Sequence, residues 1–142
     1  MTTVREMMTR DAESVNADDS VQDAAETMAK LNIGSVPVLA DGRVSGIVTD
    51  RDIAIRLIAE NRRLSDVKVR EIASGDPVVI GPDADIASAA RLMAAQRIRR
   101  LPVVEDGSLV GMLSLGDISA DGDAQAAGQA LSEISTPAAP ER

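Results

Sequence analysis

The chain is an internal duplication, and this repeat constrains the fold more than any other feature of the sequence. At a constant offset, Val4-Arg5-Glu6 recurs as Val69-Arg70-Glu71, and the register continues without a gap until Asp52-Ile53 recurs as Asp117-Ile118. The identical residues between these points include Asp11 and Asp76, Ala24-Ala25 and Ala89-Ala90, Met28-Ala29 and Met93-Ala94, Pro37-Val38 and Pro102-Val103, and Gly46 and Gly111. Because self-similarity at a fixed period indicates a repeated supersecondary unit, both copies should fold in the same way.

Each copy predicts the order strand, helix, strand, strand, helix, with a short helical lead-in before it, Val4 to Met8 in the first copy and Val69 to Ala73 in the second. Ser20 followed by Asp23 is typical of a capped helix start, and apolar residues recur at helical spacing over 21–31. Two apolar runs around Asp41-Gly42 predict a β-hairpin, and Asp106-Gly107 repeats that signal. The residues that predict a helix after the first hairpin are Ile53, Ile55, Leu57 and Ile58. The fold class is therefore α/β (α+β), with two tandem β-α-β-β-α units.

The repeat also sets the expected domain boundaries. They are a first unit at 1–59, a polar linker at 60–68, a second unit at 69–120 and an Ala-rich C-terminal extension, partly disordered, at 121–142. A unit of about 60 residues buries only about 60% of its unfolded surface and is marginally stable without a metal or disulfide. We therefore expect the two units to pack on each other.

The composition excludes most enzyme chemistry. The 142 residues include no His, Cys, Phe, Trp or Tyr, so an imidazole base, a thiol nucleophile, a Cys/His zinc site and a disulfide are impossible. A formal net charge of −8 repels polyanions, and bases cannot stack on aromatic side chains. No apolar run approaches the ~20 residues that span a bilayer, and the start of the chain has no secretory pattern. We expect a cytoplasmic protein that is no enzyme and binds neither nucleic acid nor membrane.

Both hairpins end in the same polar motif, a hydroxyl followed three residues later by a carboxylate. The pairs are Thr49 with Asp52 and Ser114 with Asp117. At a strand end before a helix, the carboxylate can accept hydrogen bonds from both ribose hydroxyls, while the hydroxyl and backbone N–H groups face a phosphate. The same spacing is typical of a helix capping box. Both interpretations stay open, because a duplication copies caps as faithfully as ligands.

The repeated unit resembles the CBS domain, named from cystathionine β-synthase. The likeness covers residues 4–119 and rests on Gly-hydrophobic-x-Thr/Ser-x-x-Asp after a hairpin, preceded by the strands Val36-Pro37-Val38 and Leu101-Pro102-Val103. Two copies resemble a Bateman module of the stand-alone bacterial type. The resemblance implies two units packed sheet to sheet with pseudo-two-fold symmetry, a homodimer, and a regulatory role with no chemistry of its own.

The resemblance also implies a ligand sensor that binds AMP, ADP, ATP or S-adenosylmethionine in clefts between the two CBS units. By motif position, Asp52 and Asp117 would hold ribose hydroxyls, while Thr49 and Ser114 would contact ribose or phosphate. The residues that would wall the adenine are Val15, Ile80, Val36 and Leu101. No cofactor and no metal is required, although Mg²⁺ could accompany a polyphosphate ligand.

The two copies differ most in their basic residues. The exchanges from the first copy to the second are Asn32 to Arg97, Gly34 to Arg99, Ser35 to Arg100 and Arg51 to Gly116. On an acidic chain, the cluster of Arg97, Arg99 and Arg100 in the second copy is the best candidate for meeting a phosphate, and Arg51 is the candidate in the first copy. Alternatively, the cluster is a solvated face or bridges neighbouring carboxylates.

An interaction scaffold with empty or vestigial clefts is the alternative function. Such a scaffold would bind an unidentified protein target, whereas a sensor needs Asp52 and Asp117 to point into open clefts. An enzyme would need a paired base and nucleophile, and none is recognisable.

Overall fold

The structure, a computed structural model, describes residues 2–121 together with Gly128 and Ile134. Its elements are α1 Val4–Met7, β1 Thr9–Arg10, β2 Val15–Asn16, α2 Val21–Leu31, β3 Ser35–Ala40, β4 Arg43–Thr49, α3 Asp50–Ile53, a π-helical turn Ala54–Ile58, 3-10 turns Leu64–Asp66 and Val69–Glu71, α4 Ile86–Gln96, β5 Arg100–Glu105, β6 Ser108–Ser114 and α5 Leu115–Asp121. Helices and small sheets alternate, which confirms the mixed α/β class. The extension predicted at 121–142 lies almost entirely outside the described residues.

The chain forms two compact units whose limits differ from those of the sequence repeats. The central unit is the continuous segment Glu13–Pro77, and the split unit combines the described residues of Met1–Ala12 and Val78–Arg142. The lead-in of each repeat therefore belongs to the unit that is built mainly from the other repeat. The boundaries predicted from the sequence follow the repeats, whereas the limits of the two compact units follow which segments pack together.

The central unit contains a sheet in the order β2-β3-β4. β2 pairs in parallel with β3 at Val15 and Val38, and β3 pairs antiparallel with β4. Asp41 and Gly42 join β3 to β4 with φ of 52° and 77°. Two consecutive positive φ values are the requirement of a tight hairpin turn that matches strand twist, so the hairpin predicted from Asp-Gly is confirmed.

The split unit contains a sheet in the order β1-β6-β5. Its hairpin turns at Asp106 and Gly107, again with positive φ. β1 adds an antiparallel edge, with Thr9 opposite Met112. Ile80, the counterpart of Val15, makes one parallel bridge to Val103, so the strand expected there is reduced to a single bridge.

The two long helices begin and end alike. The Ser20 hydroxyl accepts a hydrogen bond from the Asp23 N–H at 3.1 Å, which confirms the capped start, and Asp85 accepts from the Ser88 N–H at 2.7 Å. Each helix ends at a left-handed residue, Asn32 after α2 and Arg97 after α4. The caps thus fix the same helix length in both repeats.

Each unit has its own aliphatic core. The fully buried core of the central unit includes Val21, Ala24, Val36, Val48, Leu57 and Val69, and that of the split unit includes Val4, Ala89, Met93, Leu101, Val103, Leu113 and Ile118. Val67 lies within the segment 60–68, which the sequence predicts as a polar linker, and it too is buried in the central core.

Backbone hydrogen bonds tie each lead-in to the helix start beside it. In the central unit, the Val69 N–H donates to the Asp19 carbonyl at 2.9 Å, and the Val21 N–H donates to Val67 at 2.8 Å. In the split unit, the Val4 N–H donates to Ala84 at 2.9 Å. Surface ion pairs repeat the pattern, Arg70 with Asp18 and Arg5 with Asp83. Because these pairs are exposed, they contribute little to stability.

Two glycines allow the lead-ins to approach the hairpins. A Cβ on Gly46 would collide with the Ser74 carbonyl oxygen, and a Cβ on Gly111 would lie 2.8 Å from the Thr9 carbonyl oxygen. Beside Gly46, Ile47 and Ser74 exchange backbone hydrogen bonds of 3.1 and 2.9 Å. Glycine is therefore required where the lead-in backbone lies against β4 and β6.

The helix after the first hairpin changes its winding. α3 continues directly into the π-helical turn Ala54–Ile58. Ile53 and Leu57 are buried, whereas Ile55 and Ile58 are 51% and 66% exposed. The sequence predicts that all four apolar residues belong to one helix. Because a helix that packs on one side buries only one stripe of its surface, Ile55 and Ile58 face outward.

Candidate functional site

Each hairpin ends in an elbow, where a strand turns into a helix beside the start of the preceding strand. We define the first elbow as residues 34–35 and 49–52, and the second elbow as residues 99–100 and 114–117. The Asp50 N–H donates to the Gly34 carbonyl at 2.9 Å, and the Leu115 N–H donates to Arg99 at 2.9 Å. These bonds hold the strand start against the elbow in both units.

The hydroxyl and carboxylate of each elbow form a complete capping box. The Thr49 N–H donates to Asp52 Oδ2 at 3.0 Å, and the Asp52 N–H donates to Thr49 Oγ1 at 3.1 Å. The Ser114 N–H donates to Asp117 Oδ2 at 2.9 Å, and the Asp117 N–H donates to Ser114 Oγ at 3.1 Å. The capping interpretation is therefore confirmed, and it fixes the orientation of both carboxylates.

The capping box uses only part of the hydrogen-bonding capacity of these groups. It occupies Oδ2 of each carboxylate, while Asp52 Oδ1 lies 3.9 Å from Arg56 Nε. Thr49 and Ser114 accept through their hydroxyl oxygens and keep an O–H proton to donate. All four side chains are half-buried, and that of Asp52 is 16% exposed. The same residues can thus cap a helix and bind a polar ligand.

The basic residues of the two elbows have different surroundings. Arg51 and Arg99 are exposed, whereas Arg100 is half-buried. Burial lowers the pKa of Arg100, and the negative charge of Asp117 acts in the opposite direction. The structure therefore brings Arg100 and Asp117 together at the second elbow.

The four apolar candidates belong to the two cores. Val15 and Val36 lie in the core of the central unit, and Leu101 lies in that of the split unit with Ile80 packed against it. Val36 and Leu101 have no exposed surface, backbone included, so in this structure neither residue offers a surface to a ligand. Their side chains hold the strands in place.

Two residues near the first elbow are absent from the candidates drawn from the sequence. A Cβ on Gly34 would lie 3.1 Å from Asp50 Oδ2, which places the Asp50 carboxylate beside the strand start. Arg56 approaches Asp52 one helical turn later. The spacing i,i+4 between Asp52 and Arg56 is the signal that could have found this pair.

The described part of the chain contains neither an acidic metal-binding cluster nor a membrane-spanning helix. Residues 2–121, with Gly128 and Ile134, contain no group of three or more Asp or Glu side chains that could hold a metal ion. Over the same residues, no helix has the length and apolar character needed to cross a membrane.

Comparisons with known proteins agree with the repeat. The family model described as the CBS domain matches residues 4–59 and 69–120. The CBS domain-containing protein YhcV of Bacillus subtilis (strain 168) is 38% identical over 136 residues, which cover 95% of this chain and 96% of YhcV.

Two solved structures with bound ligands are also similar. CBSX2 in complex with AMP is 29% identical, with 83% of this chain and 93% of that chain covered and a TM-score of 0.72. The CBS domain pair of MJ0100, in complex with 5′-methylthioadenosine and S-adenosyl-L-methionine, is 27% identical, with 84% and 94% covered and a TM-score of 0.73. With both repeats matched and nearly the whole of each relative covered, the chain belongs to the CBS domain family and carries two CBS domains in tandem.

Proposed function

We propose that this chain is a regulatory module that binds adenosine-containing ligands, among them AMP, ADP, ATP and S-adenosylmethionine. The observation that carries the proposal is the pair of half-buried carboxylates, Asp52 and Asp117, held in one orientation by identical capping boxes. Ribose presents two adjacent hydroxyl donors, and a carboxylate can accept both. A carboxylate that is already oriented loses less entropy when it binds.

The remaining candidate residues complete the proposed site. Thr49 and Ser114 would donate their hydroxyl protons to ribose or phosphate oxygens, and Arg51, Arg99 and Arg100 would face a phosphate. The strands that carry Val15, Val36, Ile80 and Leu101 would offer backbone groups to the adenine edge. CBSX2 with AMP and MJ0100 with S-adenosyl-L-methionine support this ligand class.

The proposal also includes the location, the oligomeric state and the metal requirement of the module. It acts as a cytoplasmic homodimer, needs no metal of its own, and takes Mg²⁺ only with a polyphosphate ligand. It carries out no reaction, so bound ligand should be recovered unchanged. Analytical ultracentrifugation of the purified chain tests the homodimer, and mass spectrometry of released ligand tests the absence of turnover.

The decisive experiment uses the absorbance of the protein itself. The chain lacks Trp, Tyr, Phe and Cys, so the near-ultraviolet band of adenine is visible without protein background. Purified protein is passed through gel filtration, and equilibrium dialysis then measures binding of adenosine, AMP, ADP, ATP and S-adenosylmethionine. We expect an adenine band with the protein and saturable binding of at least one ligand.

Variants identify the binding groups. Asn can keep the capping bond of Asp52 and Asp117 through its amide oxygen but removes the charge. We therefore expect the double variant Asp52→Asn/Asp117→Asn to stay folded and to bind at least tenfold more weakly. Asp23→Asn, an exposed position on α2, is the control for loss of charge. Unchanged affinity in the double variant would remove Asp52 and Asp117 from the binding site, and a wild-type chain that binds none of the five ligands would favour the scaffold function.

A further inference from the structure

The two elbows are unlike in charge, and we propose that they divide the ligand chemistry between them. The second elbow selects adenosine compounds that carry a phosphate, whereas the first elbow takes adenosine compounds whose 5′ substituent is neutral or cationic. This inference rests on the proposed function and specifies the ligand class of each elbow.

The difference begins at one cross-strand position. In the register of β5 and β6, Arg100 lies opposite Ser114, and in that of β3 and β4, Ser35 lies opposite Thr49. Residues directly opposite in an antiparallel pair have side chains on the same face, with Cβ atoms about 4.5–5.5 Å apart. The second elbow therefore has an arginine directly opposite its hydroxyl residue, where the first elbow has a serine.

The surroundings of Arg100 favour an anion. A guanidinium stays protonated even when it is half-buried, and Arg100 is half-buried in this position. Arg99 adds a second positive charge, and Asp117 supplies one negative charge. A phosphate carries the additional negative charge and the acceptor oxygens that arginine binds with paired hydrogen bonds.

The first elbow has no such excess of positive charge. Its carboxylates are Asp50, beside Gly34, and Asp52, and its guanidinium groups are Arg51 and Arg56, both exposed. A phosphate entering there would meet the Asp50 carboxylate. The second elbow has Leu115 at that position, and its side chain is buried in the core of the split unit. Repulsion by Asp50 therefore acts at the first elbow and has no counterpart at the second.

Isothermal titration calorimetry with adenosine and AMP tests the division, because the two ligands differ only in the phosphate. We expect one site per chain that binds AMP more tightly than adenosine. Arg100→Ser gives the second elbow the residue of the first, so it should lower the AMP preference at least tenfold and change adenosine affinity less than twofold. Arg91→Ser removes a charge from an exposed position on α4 and should leave the preference unchanged.

Three further measurements do not depend on the folding of Arg100→Ser. Arg99→Ser, at an exposed position, should lower AMP affinity by about threefold, and added salt should weaken AMP binding but not adenosine binding. The reciprocal change Ser35→Arg should raise the AMP preference of the first elbow. Equal losses of AMP and adenosine in Arg100→Ser, or salt-independent AMP binding, would overturn the division while leaving the proposed function intact. A wild-type chain that binds neither ligand would remove both.

Discussion

Left-handed backbone positions show where individual residues carry conformational cost. The residues other than glycine with positive φ are Asp11, Asn32, Asp41, Asn61, Asp76, Arg97 and Asp106 among the described residues. Asn and Asp tolerate this region because their short polar side chains can bond locally, whereas other side chains are strained there. Arg97 departs from this rule at the end of α4, where the first repeat has Asn32.

Replacing Arg97 by the residue of the first repeat should stabilise the protein. We expect Arg97→Asn to raise the free energy of unfolding by about 0.5–1 kcal/mol, because it relieves the left-handed strain. Urea unfolding followed by far-ultraviolet circular dichroism measures this change, since the chain has no aromatic residue for fluorescence. The reciprocal Asn32→Arg should destabilise by a similar amount. A loss of stability in Arg97→Asn would show that the contacts of the Arg97 side chain outweigh the strain.

Glu71 makes the stability depend on pH. The Lys68 N–H donates to Glu71 Oε2 at 2.7 Å, and Arg62 donates to Oε1 at 3.2 Å. These hydrogen bonds, the backbone bond above all, lower the pKa of Glu71 below its usual 4.5. The unfolded chain then binds more protons, so this stabilisation is complete above pH 4.5 and is lost as pH falls through the folded pKa.

Removing this carboxylate should flatten the acid side of the stability profile. In Glu71→Gln, we expect the thermal midpoint to lie below that of the wild type at neutral pH and to converge with it in acid. Circular dichroism melts over a pH series provide the test, with Glu60→Gln as the control for losing one exposed charge. Parallel curves for wild type and Glu71→Gln would contradict the assignment.

At the scale of elements, local chemistry made the hairpins and helix starts predictable. Asp41-Gly42 and Ser20 act through residues within one turn, so the sequence alone identified them. The docking of the lead-ins is a different case. Thr9 lies beside Gly111 and Ser74 lies beside Gly46, but both hairpins offer a glycine, so the sequence does not say which lead-in joins which hairpin. The π-helical turn at Ala54–Ile58 has no signal in the sequence, whose apolar spacing predicts an ordinary helix there.

The close approach at Gly46 gives an element-scale prediction. Gly46→Ala should force the Ser74 backbone away from β4 and lower the free energy of unfolding by about 1–3 kcal/mol, the usual effect of overpacking. Gly75→Ala is the matched control, because a Cβ there meets no atom within 4 Å, and it should change stability by less than about 0.5 kcal/mol. Urea unfolding measures both. Equal effects at the two positions would mean that the lead-in does not need the contact.

The residues of the candidate site were predictable only in part, because the sequence identifies local motifs but not how the strands align. The motif identified Thr49, Asp52, Ser114 and Asp117, but it could not separate capping from ligand binding, and the structure shows that capping leaves acceptor and donor capacity unused. The contrast between Ser35 and Arg100 was visible in the sequence. Only the cross-strand register shows that Ser35 lies opposite Thr49 and that Arg100 lies opposite Ser114.

At the scale of the whole molecule, the packing limits predict which fragment folds. Fragments 13–77 and 1–65 have equal length, but only the first contains Val67, Val69 and Ile72, which are buried in the core of the central unit. Burying a side chain of this kind contributes about 1.5–3 kcal/mol. We expect 13–77 to show more helix and a cooperative thermal transition by circular dichroism at low concentration. A more stable 1–65 would show that the repeat, not the packing unit, is the folding unit.

The placement of the lead-ins also bears on how such a chain could arise. A single repeat, expressed alone, would carry its own lead-in but not the one that completes its core in this chain, and two copies could restore that arrangement by exchanging lead-ins. Domain swapping is a low-cost route to dimers. In these terms, the duplicated chain has the connectivity of a swapped dimer with its two subunits covalently joined, so neither repeat can be removed without taking part of the other's core with it.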